Sequence, residues 1–319
     1  MNNQNRIKNF PISFFSIILG MAGFTIAIQK TEGILKSTIN LNLYLLGITV
    51  FMFSIIAILY IYKFIKYTEE VKLEFKNPVK LSFFPTISIS LLLLSVAFLD
   101  VNLSISKILW YFGTIIHAIF TYKIISVWMF HPNIDIKNFN PAWFIPVVGN
   151  IIVPIAGVKH FNIELSWFFY SIGLLFWIVL FTIFIYRIIF HHPLPEKLLP
   201  TLAILISPPA IGFISYVKLT HSVDSFARIL YYFALFLTTF LLKEYKLFSR
   251  IKFYLSWWAY TFPISAMTIA TALMYHMTKV VFYKYLMFSI LIILIALVVI
   301  ILPMTISKII EKGICIEED

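Results

Sequence analysis

Groups able to do chemistry are few in this chain and widely scattered. Seven histidines, one cysteine and 14 acidic residues are spread over 319 positions. His191-His192-Pro193 has only Glu196 nearby at ligand spacing, short of the three or four ligands that a zinc or iron site requires, so these two histidines read as surface residues. His117 shares an apolar segment with Lys123. It either titrates as a proton carrier or packs between helices while Lys123 reaches back to the interface. There is no glycine-rich phosphate loop, no Ser/His/Asp arrangement in suitable context and no set of paired histidine boxes, which argues against a membrane-embedded enzyme. Cys315 stands alone and excludes an internal disulfide or a cysteine metal cluster. Neither a metal nor a cofactor is expected.

What remains is a set of hydroxyls beside prolines. Ser13 and Ser16 follow Pro11, Ser207 precedes Pro208-Pro209, and Thr261 and Ser265 flank Phe262-Pro263. A hydroxyl donor can replace part of an anion's hydration, and basic mouths would raise the anion's local concentration. The opposite preference stays open, because hydroxyls also accept and carbonyls freed by proline favour cations.

These residues must be positioned by membrane helices. The chain is 61% hydrophobic and 12% charged, with mean hydropathy +0.94, whereas soluble domains are about a quarter charged. Ten apolar segments lie near residues 10–28, 39–66, 80–99, 103–129, 142–158, 164–190, 198–218, 225–245, 253–276 and 280–307. Each approaches the ~20 residues needed to cross a bilayer. The chain therefore reads as a single transmembrane domain over 1–319, with tails at 1–9 and 308–319 flanking a ten-helix domain at 10–307. The first segment follows Arg6 and Lys8 but lacks a small-residue cleavage site, so it reads as a span. Ten spans place both tails on one side. Seventeen of the 25 basic residues fall there against eight opposite, which predicts cytoplasmic termini in a multi-pass cell-membrane protein. The net charge of +11 is thus a topology signal, with no nucleic-acid partner implied. The run from Lys63 to Lys80, with Glu69, Glu70 and Glu74, reads as a solvated loop.

Prolines impose a second pattern. Segments 1, 3, 5, 7 and 9 carry Pro11, Pro85, Pro146 with Pro154, Pro208 with Pro209, and Pro263, while segments 2, 4, 6 and 8 have none inside. Five broken-then-straight helical hairpins follow as an internal repeat. A proline at position i leaves the carbonyl at i−4 without its amide, as Pro263 does for Ala259. Lipid cannot satisfy that carbonyl, so broken helices belong inside, around a pore, and straight ones outside. The odd segments have charged groups only at their ends, such as Asp100 and Lys218, so the pore they line is neutral. Its lining candidates are Ser13, Ser16, Gly20, Gly149, Ser207, Ala259, Ser265 and Ala266, with kinks at Pro11, Pro85, Pro146, Pro208 and Pro263.

The blocks PISFFSIILGMAG, NPAWFIPVVGNIIVPIAG, LLPTLAILISPPAIGFISY and WWAYTFPISAMTIATA resemble the tellurite-resistance/dicarboxylate transporter family over about residues 9–307. That family includes the bacterial permease TehA, the slow-type anion channel of plant guard cells, yeast malate permeases and fungal sulfite pumps. The resemblance implies five hairpins around a pore, a homotrimer of independently conducting subunits, and a gate formed by the phenylalanine before the ninth-segment proline, here Phe262. Positions 259, 262, 265 and 266 share one helical face, so small residues would leave the ring room to turn. The expected activity is passage of chloride, nitrate or similar small monovalent anions. Secondary transport of C4-dicarboxylates, monocarboxylates or sulfite is the alternative. The short tails do not match the long kinase-controlled ones of the plant channels.

Overall fold

The computed structural model describes residues 6–130, 134–249, 251–311 and 313–315, which form helices and connections without a strand. Ten long helices are present: α1 (Phe15–Leu35), α2 (Leu41–Lys66), α4 (Thr86–Phe98), α5 (Leu103–Phe130), α6 (Ile145–His160), α7 (Ile163–Phe190), α8 (Ser207–Thr220), α9 (Ser225–Lys243), α11 (Thr261–Thr278) and α12 (Val281–Ile310). Two short helices, α3 (Thr68–Lys76) and α10 (Tyr245–Ser249), punctuate them. Nine spans among the described residues are long and apolar enough to cross a membrane. The tenth position belongs to α11, made less apolar by four threonines, Ser265 and His276.

The chain packs as five antiparallel hairpins: α1 with α2, α4 with α5, α6 with α7, α8 with α9, and α11 with α12. First members of the hairpins also meet one another in sequence, α1–α4–α6–α8–α11, and α11 closes back on α1. The result is a ring of five inner helices. Burial separates the two classes: α1, α4, α6 and α8, taken with their lead-in turns, are 78–94% buried, and the five outer helices only 22–33%. Outer faces carry Phe51, Ile58, Leu175 and Val299, all exposed. In water such a surface would be a liability; in a bilayer it is the solvent-matched side.

Each inner helix is entered through a 3-10 segment: Ile12–Phe14, Leu81–Phe83, Pro141–Phe144, Glu196–Ile206 and Leu255–Tyr260. The prolines sit at these junctions. Pro11 precedes its 3-10 turn, Pro85 immediately precedes α4, and Pro146, Pro208 and Pro263 lie in the first turns of α6, α8 and α11. There the missing amide costs an α-helix little, and the tighter i→i+3 pattern carries the chain up to it. Neighbouring hydroxyls reinforce the junctions three residues back: Thr261 donates to the Trp258 carbonyl at 2.7 Å, and Thr86 and Thr201 to those of Phe83 and Leu198.

At the opposite ends, α1, α8 and α11 stop on Lys36, His221 and Lys279, each in the left-handed region with φ 52–58°, and tight turns lead into the outer helices. The Asp224 carboxylate caps α9 by accepting from the Ala227 amide at 2.9 Å. On the face holding both tails, Arg6 donates to the Ile309 carbonyl at 3.1 Å, tying the N-terminal stretch to the end of α12.

The segment from Lys63 to Lys80 corrects the expectation of a solvated loop. It contains α3, which buries Val71 and Glu74 while exposing Glu69 and Lys72. Short segments of this kind have a helical period too brief to stand out beside long apolar runs, and only packing against α2 reveals it.

Candidate functional site

The inner ring encloses a cavity of about 860 Å³ that opens on the tail face and ends among the junctions. Its upper wall includes Pro11, Ser13, Ser16, Ser207, Ala259, Phe262 and Pro263. Ser13 and Ser16, three apart on one helical face, are half-buried and make no hydrogen bond to the protein among the described contacts. The Ser207 hydroxyl is fully buried and unpartnered. These hydroxyls are the donors left to the lumen, since the first amides of α1 and α8 are bonded within the 3-10 lead-ins and Pro208 and Pro209 have none.

Phe262 is 8% exposed and forms part of the cavity end. Gly23 makes room beside it: a Cβ there would lie 3.4 Å from the ring and 2.9 Å from Ser265 Cβ. No feature of the local sequence separates Gly23 from Gly20, so this contact between α1 and α11 is visible only in three dimensions. Gly20 instead packs against Thr261 and Trp258. Ser265 donates to the Thr261 carbonyl at 2.8 Å and is fully buried; Ala266 is buried at 1% exposure. Neither borders the cavity, nor do Gly20, Gly149, Pro85, Pro146 or Pro208.

Gly149 faces outward from the ring, against the imidazole of His117 on α5. His117 is fully buried. Its Nε2 lies 2.9 Å from the Pro146 carbonyl, which can only accept, so Nε2 carries the proton. Its Nδ1 lies 2.9 Å from the Ser88 hydroxyl. Asn150 also donates to the Pro146 carbonyl, at 2.8 Å. His117 therefore ties together the entry regions of α4 and α6, while Lys123 is exposed toward the tail face. His191 and His192 are both exposed. Among the described residues no three His, Cys, Asp or Glu side chains converge on a metal position.

Lower down, the cavity wall carries five lysines, Lys8, Lys63, Lys80, Lys197 and Lys308, against Glu70 and Glu74. Lys308 pairs with Glu311 at 2.8 Å. Lys8 pairs with Glu70 at 3.2 Å, and Lys63 with Glu74 at 2.8 Å. Cys315 also lies at this mouth, where partial burial pushes its thiol above the ordinary value. The Lys63–Glu74 pair is nearly solvent-free, with the two side chains 4% and 6% exposed. The sequence places both residues in a solvated loop, because a lysine ending an apolar run ordinarily reaches out to water.

A neutral, hydroxyl-lined lumen behind a basic mouth in a five-hairpin ring agrees with the comparisons. The profile of the family described as voltage-dependent anion channel, SLAC1, matches residues 9–306. The chain belongs to this family. Among its relatives, the "Uncharacterized transporter MJ0762" of Methanocaldococcus jannaschii is 29% identical over 85% of this chain and 86% of its own length. The S-type anion channel SLAH2 of Arabidopsis thaliana is 31% identical over 83% of this chain. The match spans 52% of SLAH2, about half its length. The tellurite resistance protein TehA homolog of Haemophilus influenzae is 23% identical over 86% of this chain and 85% of its own. As a SLAC1-family member the chain is a membrane anion channel or transporter rather than an enzyme.

Proposed function

We propose that this SLAC1-family protein passes small monovalent anions, such as chloride, nitrate or similar oxyanions, from the tail-side cavity past Phe262 to the opposite face, with the tails in the cytoplasm. One observation carries the reading: a cavity with five lysines at its mouth, hydroxyls without a protein partner among the described residues above it and a phenylalanine at its end. The lysines concentrate anions by long-range attraction. Ser13, Ser16 and Ser207 then replace part of the lost hydration. A phenyl ring offers an anion no such replacement, so closure works by occlusion and dehydration. The family resemblance further supports a homotrimer in which each subunit conducts through its own ring.

Reconstitution into liposomes tests this. Nitrate or chloride efflux that proceeds equally with and without a pH gradient is expected. Malate, succinate or sulfite flux that strictly requires the gradient would replace the channel reading with a coupled carrier.

Ser207→Ala tests the lining. Removing the hydroxyl leaves an apolar wall where a partly dehydrated anion needs a donor, and a hydrogen bond to a charged group is worth roughly 1.5–3 kcal/mol. The permeability ratio of nitrate to chloride is expected to change severalfold, with the open fraction little altered. Unchanged reversal potentials under bi-ionic conditions would remove Ser207 from the pathway.

A further inference from the structure

The vestibule contains one charged pair that its surroundings bury without explaining. Lys63 sits near the end of α2, where a side chain of its length ordinarily extends into water. Instead its ammonium donates to the Glu74 carboxylate at 2.8 Å and to the Phe10 carbonyl at 2.9 Å. Glu74 accepts in addition from the Ile12 amide at 2.8 Å and the Tyr60 hydroxyl at 3.0 Å. The carboxylate, carried by α3, is thereby fixed by α2 and by the turn that leads into α1.

An ammonium has three N–H donors. Two of those on Lys63 are used by protein oxygens, and Lys63 borders the cavity. The Tyr60 ring centroid lies 5.6 Å from Nζ. Ser13 and Ser16, whose hydroxyls make no hydrogen bond to the protein among the described contacts, border the same cavity on the path toward Phe262. Burying two charges is costly, and a pair of apolar residues would often hold the same elements together as well or better. A buried, pre-oriented ammonium with a donor to spare is instead what a transient anion site requires.

We propose that Lys63 is an anion-binding residue of the vestibule for small monovalent inorganic anions. Glu74 holds its ammonium in place and keeps the resting charge neutral, so that an anion is bound weakly enough to move on. An incoming anion takes the free N–H of Lys63 and passes next to Ser13 and Ser16. This rests on the anion-conduction reading and deepens it.

The test is conductance as a function of chloride concentration in single-channel bilayer recordings, made in a Phe262→Ala background. Absence of chloride current in that background refutes the conduction reading itself, and this inference with it. If the background conducts, Lys63→Gln/Glu74→Gln, which removes both charges together, is expected to raise the half-saturating chloride concentration about tenfold. Glu74→Gln alone, which leaves the ammonium without its competitor, should lower it, and Lys63→Arg should stay close to the background. A double variant that conducts with unaltered half-saturation makes the pair a structural clamp only and overturns the proposal. Should the double variant fail to reach the membrane, the single Glu74→Gln variant decides, because a half-saturation that is unchanged or raised contradicts an unmasked Lys63.

Discussion

Phe262→Ala is expected to increase anion current by about an order of magnitude or more at matched surface expression, with the order of anion preference nearly unchanged. The expectation follows from where the ring sits. Phe262 is in the first turn of α11, directly before Pro263 and at the end of the cavity. As the proposed gate, the ring is a steric and dehydrating barrier, whereas the hydroxyls and lysines proposed to discriminate among anions are other residues and stay in place. Voltage-clamp recordings in oocytes, with surface protein quantified, provide the measurement. Equal currents from wild type and variant would assign the ring to packing. Gly23 belongs to the same argument, since its missing side chain is part of the space on the α1 side into which the ring can turn.

Gly149→Ala is expected to destabilise the protein by about 2–4 kcal/mol. A methyl at this position overlaps the His117 imidazole. In an unconstrained helix the same change would help by up to about 1 kcal/mol. Here the ring cannot move aside cheaply, because Nε2 is held by the Pro146 carbonyl and Nδ1 by Ser88. Overpacking of this kind costs roughly 1–3 kcal/mol, and a broken buried hydrogen bond adds about 1–3. Thermal unfolding in detergent, followed by size-exclusion fluorescence, should show a clear drop for Gly149→Ala. Adding His117→Ala to Gly149→Ala should cost much less than the sum of the two single changes, because the methyl then enters vacated space. Strict additivity would mean that the glycine and the histidine do not constrain each other.

The five-hairpin plan was legible because two strong signals coincide. Membrane spans need long apolar runs, and backbone broken in a membrane must be enclosed by protein, so alternate prolines alone divide the helices into inner and outer sets. The nature of the breaks was less accessible. A proline in an apolar run looks like a kink in mid-helix, but the structure places Pro85, Pro146, Pro208 and Pro263 at a 3-10-to-α junction and Pro11 just before its 3-10 turn, leaving Pro154 inside α6, a distinction that depends on hydrogen bonds a few residues upstream. Among the proposed lining residues, Ser13, Ser16, Ser207 and Ala259 border the cavity, whereas Gly20, Gly149, Ser265 and Ala266 pack against helices. Ser265 lies one helical turn beyond Phe262 on the same face and both approach Gly23 of α1, so the depth at which the cavity ends, which sequence does not specify, decides which of the two borders it.

Composition, segment length and the alternation of prolines by themselves determined that this chain is a ring of helical hairpins around a neutral path, because the bilayer allows so few other arrangements. Only the tertiary structure decided how its charges are used. Lys63 and Glu74 stand 11 positions apart in a stretch that reads as ordinary loop charge. It is the folding of α3 against α2 and the entry to α1 that takes them out of water, and a charge acquires its strength from the burial and partners around it.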